Sequence, residues 1–208
     1  MRINYNSITI YIEDTYEDMS KKAARMVAAQ VILKPESVVG LATGSTPEGM
    51  YKELVNMENE GVVDFSEVTT FNLDEYEDLP PDNLQSYDYY MKKHLFDHIK
   101  INMDKVHIPS GTDEDVSKVC REYDQMIMKC GNMDIQILGI GTNGQIGFNE
   151  PDLKFEAGTH LVSLDEETID SNARFFDSID QVPKKAISMG IRYIMHSKIV
   201  VLMANGDK

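Results

Sequence analysis

A chain of 208 residues, 42% hydrophobic and 26% charged, has the length for one well-filled core and the composition of an ordinary globular protein. Its formal net charge of -15 repels phosphate backbones and anionic membrane surfaces, which argues against nucleic-acid and membrane partners. A small anionic ligand survives that exclusion, because a helix N-terminus or one arginine overrides the global field locally.

Cys120 and Cys130 form no CxxC pair, and the five histidines show no metal-ligand spacing, so free thiols and no metal centre are expected. No basic-then-apolar leader opens the chain and no apolar run approaches the ~18 residues of a membrane span, so a cytoplasmic location is expected.

Residues 7–13 (SITIYIE) alternate polar and apolar and read as a first strand or extended arm. Residues 15–30 carry Met19, Ala23, Met26, Val27 and Gln30 at helical spacing behind a cap at Asp14 or Thr15. Residues 37–42 (SVVGLA) are a short apolar strand running into Thr43, Gly44, Ser45, Thr46 and Pro47. Pro47 suits the first position of a helix that continues over residues 48–56. Strand, small-residue loop and helix start together suit phosphate, because open N–H groups and the helix dipole face the anion. The loop has neither the GxxxxGK[ST] nor the GxGxxG pattern.

Residues 68–73 (VTTFNL) form the next strand, ending at Asp74. An acid at the carboxyl end of a parallel strand points at the ligand crevice and suits a general base. Glu77 and Asp78 read as a solvated turn. Residues 86–98 read as a helix with Tyr87, Tyr90, Met91, Leu95 and His98 near one face, the tyrosines serving packing. Residues 105–109 are extended, and residues 113–130 form an amphipathic helix with Val116, Val119, Cys120, Tyr123 and Ile127 inward.

The most informative stretch is 134–151, DIQILGIGTNGQIGFNEP. An apolar run predicts a buried strand, and a glycine-dense loop follows that brings backbone close to a ligand. Asn143, Gln145, Asn149 and Glu150 fall within eight residues of that loop. Beyond it, residues 159–164 read as a strand, 165–176 as a helix containing Arg174, 186–190 and 191–196 as a short strand and short helix, and 198–203 as the last strand. The alternation of β and α predicts an α/β fold, a Rossmann-like, mostly parallel sheet with helices on both faces, in one domain over residues 1–208. Three strand-end loops carry the polar chemistry, and their common placement predicts a single site.

LATGSTP (41–47), FNLDEY (71–76), GIGTNGQIGFNEP (139–151), SNARFF (171–176) and QVPKKAISMG (181–190) resemble the glucosamine-6-phosphate deaminases. The resemblance covers nearly the whole chain, and the FNLDEY and GFNEP blocks separate it from the 6-phosphogluconolactonases of the same fold. It implies conversion of glucosamine 6-phosphate and water to fructose 6-phosphate and ammonia, with no metal or organic cofactor. It implies Asp74 as the base between C1 and C2. It gives Thr43, Gly44, Ser45 and Thr46 as the loop that holds the substrate, with Arg174 and Lys208 as the phosphate clamp. Glu150 matches the acid partner of the ring-opening group, and Asn143 a position held by Asp in some branches and by Asn in others.

Gln145 departs from the family, which has histidine there to open the pyranose ring. Glutamine hydrogen-bonds but does not titrate near neutrality, and losing a general acid–base costs roughly 10²–10⁴-fold. The expectation is an intact sugar-phosphate pocket that opens rings slowly. A sugar-phosphate-binding homologue with little turnover, a galactosamine-6-phosphate isomerase and a 6-phosphogluconolactonase are the alternatives. Family members also continue past the lysine matched by Lys208 with a helix and a strand, so uncovered sheet and lowered stability, or compensation by a partner subunit, are expected. Of residues 159–162 only His160 is weakly basic. Some long members of the resembled family are hexamers controlled by N-acetylglucosamine 6-phosphate, with basic residues near this position, so the resemblance implies no such control here and a monomer or small homo-oligomer.

Overall fold

The structure, a computed structural model, describes residues 1–151, 154–173, 176 and 178–206, with the backbone alone at 167 and 171. The chain opens with an antiparallel hairpin, β1 (Arg2–Tyr5) and β2 (Ile8–Tyr11), turned at Asn6 with φ 53°. Asparagine tolerates that left-handed backbone, which makes it a natural turn residue. Only β2 was legible as a strand.

Helix α1 (Tyr16–Leu33) starts where expected, with the Thr15 hydroxyl accepting from the Asp18 N–H at 3.1 Å. Strand β3 (Val38–Leu41), helix α2 (Glu48–Asn59) and strand β4 (Thr69–Asn72) follow. Pro47 sits at the cap of α2 with helical φ and ψ, one position before the expected one. A three-residue strand, β5 (Asp74–Tyr76), leads to α3 (Tyr87–His94), capped by the Ser86 hydroxyl on the Tyr89 N–H. The α-helix does not reach His98: Phe96–His98 tighten into a 3-10 turn. A 3-10 turn advances three residues per turn, so His98 leaves the buried face and is exposed. Then come β6 (Val106–His107), α4 (Val116–Lys129), β7 (Ile135–Leu138), β8 (His160–Ser163), α5 (Glu166–Asn172), β9 (Lys185–Ser188), α6 (Ile191–Met195) and β10 (Ile199–Leu202).

Five strands pair in parallel in the order β10-β7-β3-β4-β6. Side chains alternate across them, so each face takes its own cover. Val39, Leu41, Ile135 and Ile137 face α1, α2 and α3, which contribute Ala24, Val27, Tyr51, Leu54 and Met91. Val38, Phe71 and Leu138 face α4 and α6, which contribute Tyr123, Ile127, Tyr193 and Ile194. The steady alternation does not hold to the end of the chain. Strands β8 and β9 leave the parallel sheet and join β5 in a second, antiparallel sheet of order β5-β9-β8.

That topology decides where a ligand can sit. From β3 the chain moves one way to β4 and β6 and the other way to β7 and β10. The crevice outside the carboxyl ends of β3 and β7 is therefore a topological switch point, where open α/β sheets bind ligands. Residues 42–46 and 139–145 leave the sheet there, and Asp74 follows β4 beside them.

Asp134 pins the opposite end of the sheet. Its buried carboxylate accepts from the Val38 N–H (2.8 Å) and from the ammonium groups of Lys34 and Lys198 (2.7 Å each), tying together the starts of β3, β7 and β10. Among the described residues no helix is long and apolar enough to cross a membrane.

Candidate active site

A cavity of about 680 Å³ opens at the switch point, walled by residues 42–46, by Asp74 and Tyr76, by Tyr87 and Tyr90 of α3, and by Gly141 and Gln145. Thr43, Gly44, Ser45 and Thr46 all line it. Gly44 takes φ 102°, a backbone that only glycine adopts freely. The carbonyls around this loop are occupied from outside. The Tyr90 hydroxyl donates to Gly44 O at 2.7 Å and Tyr16 to Ser45 O at 3.0 Å, while Tyr51 donates to Ala42 O. Among the described residues no hydrogen bond uses the N–H groups of Thr43, Gly44, Ser45 or Thr46. A loop whose carbonyls are held away and whose amides stay open, leading into a helix N-terminus, is a ready anion cradle.

Asp74 stands on another wall of the cavity, 5% exposed. Among the described residues no donor reaches its carboxylate and no cation pairs with it. Burial pushes its carboxyl up to about 8, and the neighbouring Glu75 carboxylate adds to the rise. The loop after β7 closes directly on it. Gly147 has φ 58°, and a Cβ there would lie 3.1 Å from Asp74 Oδ2 and 3.4 Å from Ser188 Oγ. The glycine is required by both the backbone angle and the close approach.

Asn143, Gln145 and Glu150 are brought together as expected, with Thr168 of α5 among them. Asn143 Nδ2 donates to Glu150 Oε2 at 2.6 Å, and Asn143 Oδ1 accepts from the Gln145 N–H at 3.0 Å. The Thr168 hydroxyl donates to Glu150 Oε1 at 2.8 Å. An amide oxygen facing a carboxylate would be acceptor against acceptor. Turned nitrogen-inward, Gln145 donates to Glu150 Oε1 at 2.9 Å and Oε2 at 3.1 Å, and lies 2.8 Å from Thr168 Oγ1. Glu150 thus accepts from three side chains, and Gln145 stands between it and the cavity, which Gln145 lines and Glu150 does not.

Several contacts of the site join residues distant in the chain, and the residue types alone do not announce them. Asn149 Nδ2 lies 3.0 Å from Ile146 O, 3.2 Å from Ser188 Oγ and 2.9 Å from Met189 O, clipping the glycine loop to β9. β9 in turn pairs Ser188 with Asp74. Thr168 is polar within a short helix, and nothing local marks its partners. Tyr87 does pack, stacked on Phe148 at 6.0 Å and 8°, but it also faces the cavity. Arg174 and Lys208, expected at the phosphate, lie outside the described residues. Among the described residues no group of three or more His, Cys, Asp or Glu side chains is arranged to hold a metal ion.

The chain resembles known proteins over nearly its whole length. Residues 12–208 match the family model of glucosamine-6-phosphate isomerases and 6-phosphogluconolactonases. The glucosamine-6-phosphate deaminase of Halothermothrix orenii is 58% identical over 197 residues, 95% of this chain and 82% of that one. That of Alkaliphilus oremlandii is 57% identical with the same coverage. A solved structure described as a monomeric glucosamine-6-phosphate deaminase is 47% identical, with a TM-score of 0.88 over 90% of this chain and 78% of that one. The 6-phosphogluconolactonase of Thermotoga maritima shares the fold, with a TM-score of 0.69 at 21% identity over 92% of this chain and 80% of that one. The chain belongs to the glucosamine-6-phosphate isomerase and 6-phosphogluconolactonase family.

Proposed function

We propose that the chain is a glucosamine-6-phosphate deaminase, converting glucosamine 6-phosphate and water to fructose 6-phosphate and ammonia. One observation carries this reading: an open-amide loop and a buried carboxylate with no partner among the described residues line the same cavity, in a chain whose relatives bear the deaminase name. The phosphate rests on the N–H groups of residues 43–46 and the hydroxyls of Thr43 and Ser45, completed by Arg174 and Lys208, while the Thr46 hydroxyl donates to Asn205 Oδ1 at 2.9 Å. Asp74 moves the proton between C1 and C2. Burial favours the protonated form of Asp74 at neutral pH before substrate binds. A protonated 2-amino group entering beside it favours the ionised form, so the substrate readies its own base.

Glu150, Asn143 and Gln145 take the ring-opening position. Gln145 orients Glu150 through its amide but carries no titratable proton, so ring opening is the slow step and open-chain substrate bypasses it. The similar solved deaminase is described as monomeric, and the same state is proposed here. A cytoplasmic location and the absence of a nucleic-acid partner remain part of the proposal.

The test is ammonia release from glucosamine 6-phosphate by the chain and by Gln145→His. The variant is expected to gain about 10²-fold or more. A wild type as fast as the variant would overturn the role given to Gln145, and no ammonia from either would overturn the deaminase reading.

A further inference from the structure

Next to Asp74 lies a second buried carboxylate that the reaction does not use. Glu75 is 3% exposed. It accepts from three backbone N–H groups: its neighbour Tyr76 at 2.8 Å, and Tyr87 (3.0 Å) and Asp88 (2.9 Å) in the first turn of α3. The last two are among the amides that a helix leaves unpaired at its start. A carboxylate there also meets the positive end of the helix dipole. Ser86 satisfies a further amide, that of Tyr89, so the whole first turn is fixed.

Helix α3 is the wall of the cavity. Tyr87, Tyr90, Lys93 and His94 line it, and the Tyr90 hydroxyl reaches across to the carbonyl of Gly44 in the anion loop. A continuous chain of contacts therefore runs from the strand carrying Asp74, through Glu75 and α3, to the loop at residues 43–46. We propose that Glu75 is a positioning residue of this site: its buried carboxylate ties α3 to the strand that carries Asp74 and sets a negative charge beside Asp74. This rests on the deaminase reading only for its kinetic consequences.

The electrostatic surroundings support the second role. Burial pushes the Glu75 carboxyl up to about 7, while the N–H bonds from Tyr87, Asp88 and Tyr76 pull it down and the Asp88 charge pushes it up. With three donors against none among the described residues, Glu75 is the first of the two to ionise, and its charge then opposes ionisation of Asp74. Facing Asp74 are Tyr76 of its own strand, Tyr87 of α3, Tyr123 of α4 and the uncharged Ser188 of β9. Facing Glu75 are Asp88 of α3, itself paired with Lys92, the apolar Ile187 of β9, and Gly111. Among the described residues no cation shields either carboxylate.

The experiment follows the Asp74 carboxyl by carbon NMR in protein labelled at aspartate side chains, without substrate, with Asp74→Asn giving the assignment. In Glu75→Gln the titration of Asp74 is expected to move about one pH unit lower. The acid limb of the kcat/KM profile for glucosamine 6-phosphate is expected to move with it. In Glu75→Asp, which keeps the charge but falls short of α3, the titration stays near that of wild type while KM rises. An unmoved Asp74 titration in a folded Glu75→Gln protein would overturn the proposal. If Glu75→Gln does not fold, Glu75→Asp decides: KM and titration both unchanged would also overturn it. The titration needs no turnover, so it stands even if glucosamine 6-phosphate proves to be the wrong substrate.

Discussion

Replacing Asp74 by asparagine should make the protein more stable at neutral pH. Asparagine has nearly the same shape and never ionises, so it removes only the desolvation penalty of the carboxylate. In the unfolded chain an aspartate loses its proton near 3.8, whereas in the folded chain burial holds it to about 8. The sign follows from proton binding. Below about pH 4 both states are protonated and the penalty is absent. Between pH 4 and 8 the unfolded state ionises while the folded state does not, so wild type loses stability as pH rises. At pH 7 the unfolded state is favoured over about three units, and at ~1.4 kcal/mol per unit the cost is about 4 kcal/mol. Urea unfolding of wild type and Asp74→Asn at pH 4 and pH 7 measures it. With a slope of about 2–3 kcal/mol per molar urea, the midpoints should lie within about 0.3 M of each other at pH 4 and differ by about 1–2 M at pH 7, the variant being more stable. Equal midpoints at pH 7, or a gap that does not change with pH, would refute the reasoning.

Gly147→Ala should act on both stability and chemistry. Its left-handed φ costs about 1–2 kcal/mol for any residue with a Cβ, and the added atom meets Asp74 Oδ2. Thermal melting should show the modest loss, and ammonia release a larger one than the melting shift explains. Asp134→Ala should cost roughly 2–4 kcal/mol, because it leaves the buried Val38 N–H unpaired and frees two lysines from the sheet end. Burial raises the Asp134 pKa, but the bonds from Lys198, Lys34 and the Val38 N–H outweigh it and leave it lowered. Its stabilisation is therefore present above the ordinary aspartate range and is lost as pH falls through the lowered value. The gap between wild type and Asp134→Ala in urea midpoint should close in strong acid and stay open at pH 7.

Sequence and structure agree where chemistry is local. The run from Val38 into Thr43–Thr46 and the run from Ile135 into Gly139 were readable because an apolar strand ends abruptly in small or polar residues. Asp74 was readable as the first acid after such a strand. The strand order was not, since pairing depends on which helices cover which face. The antiparallel sheet was missed because β5, β8 and β9 are three or four residues each and carry no sign of direction. The tether of Asn149 to Ser188 spans 39 residues and that of Thr168 to Glu150 spans 18, distances over which a side chain type says nothing about its partner. Glu75 carries no local sign of its role, since two of its three backbone donors lie at the start of α3.

The most direct measurement is turnover of glucosamine 6-phosphate by wild type and Asp74→Asn prepared side by side, with ammonia and fructose 6-phosphate followed together. Wild type is expected to give equal amounts of the two products. The variant is expected to be slower by about 10²–10⁴-fold, with sugar-phosphate binding retained on the loop of residues 43–46. Undiminished turnover by Asp74→Asn would contradict the role of Asp74 as the base.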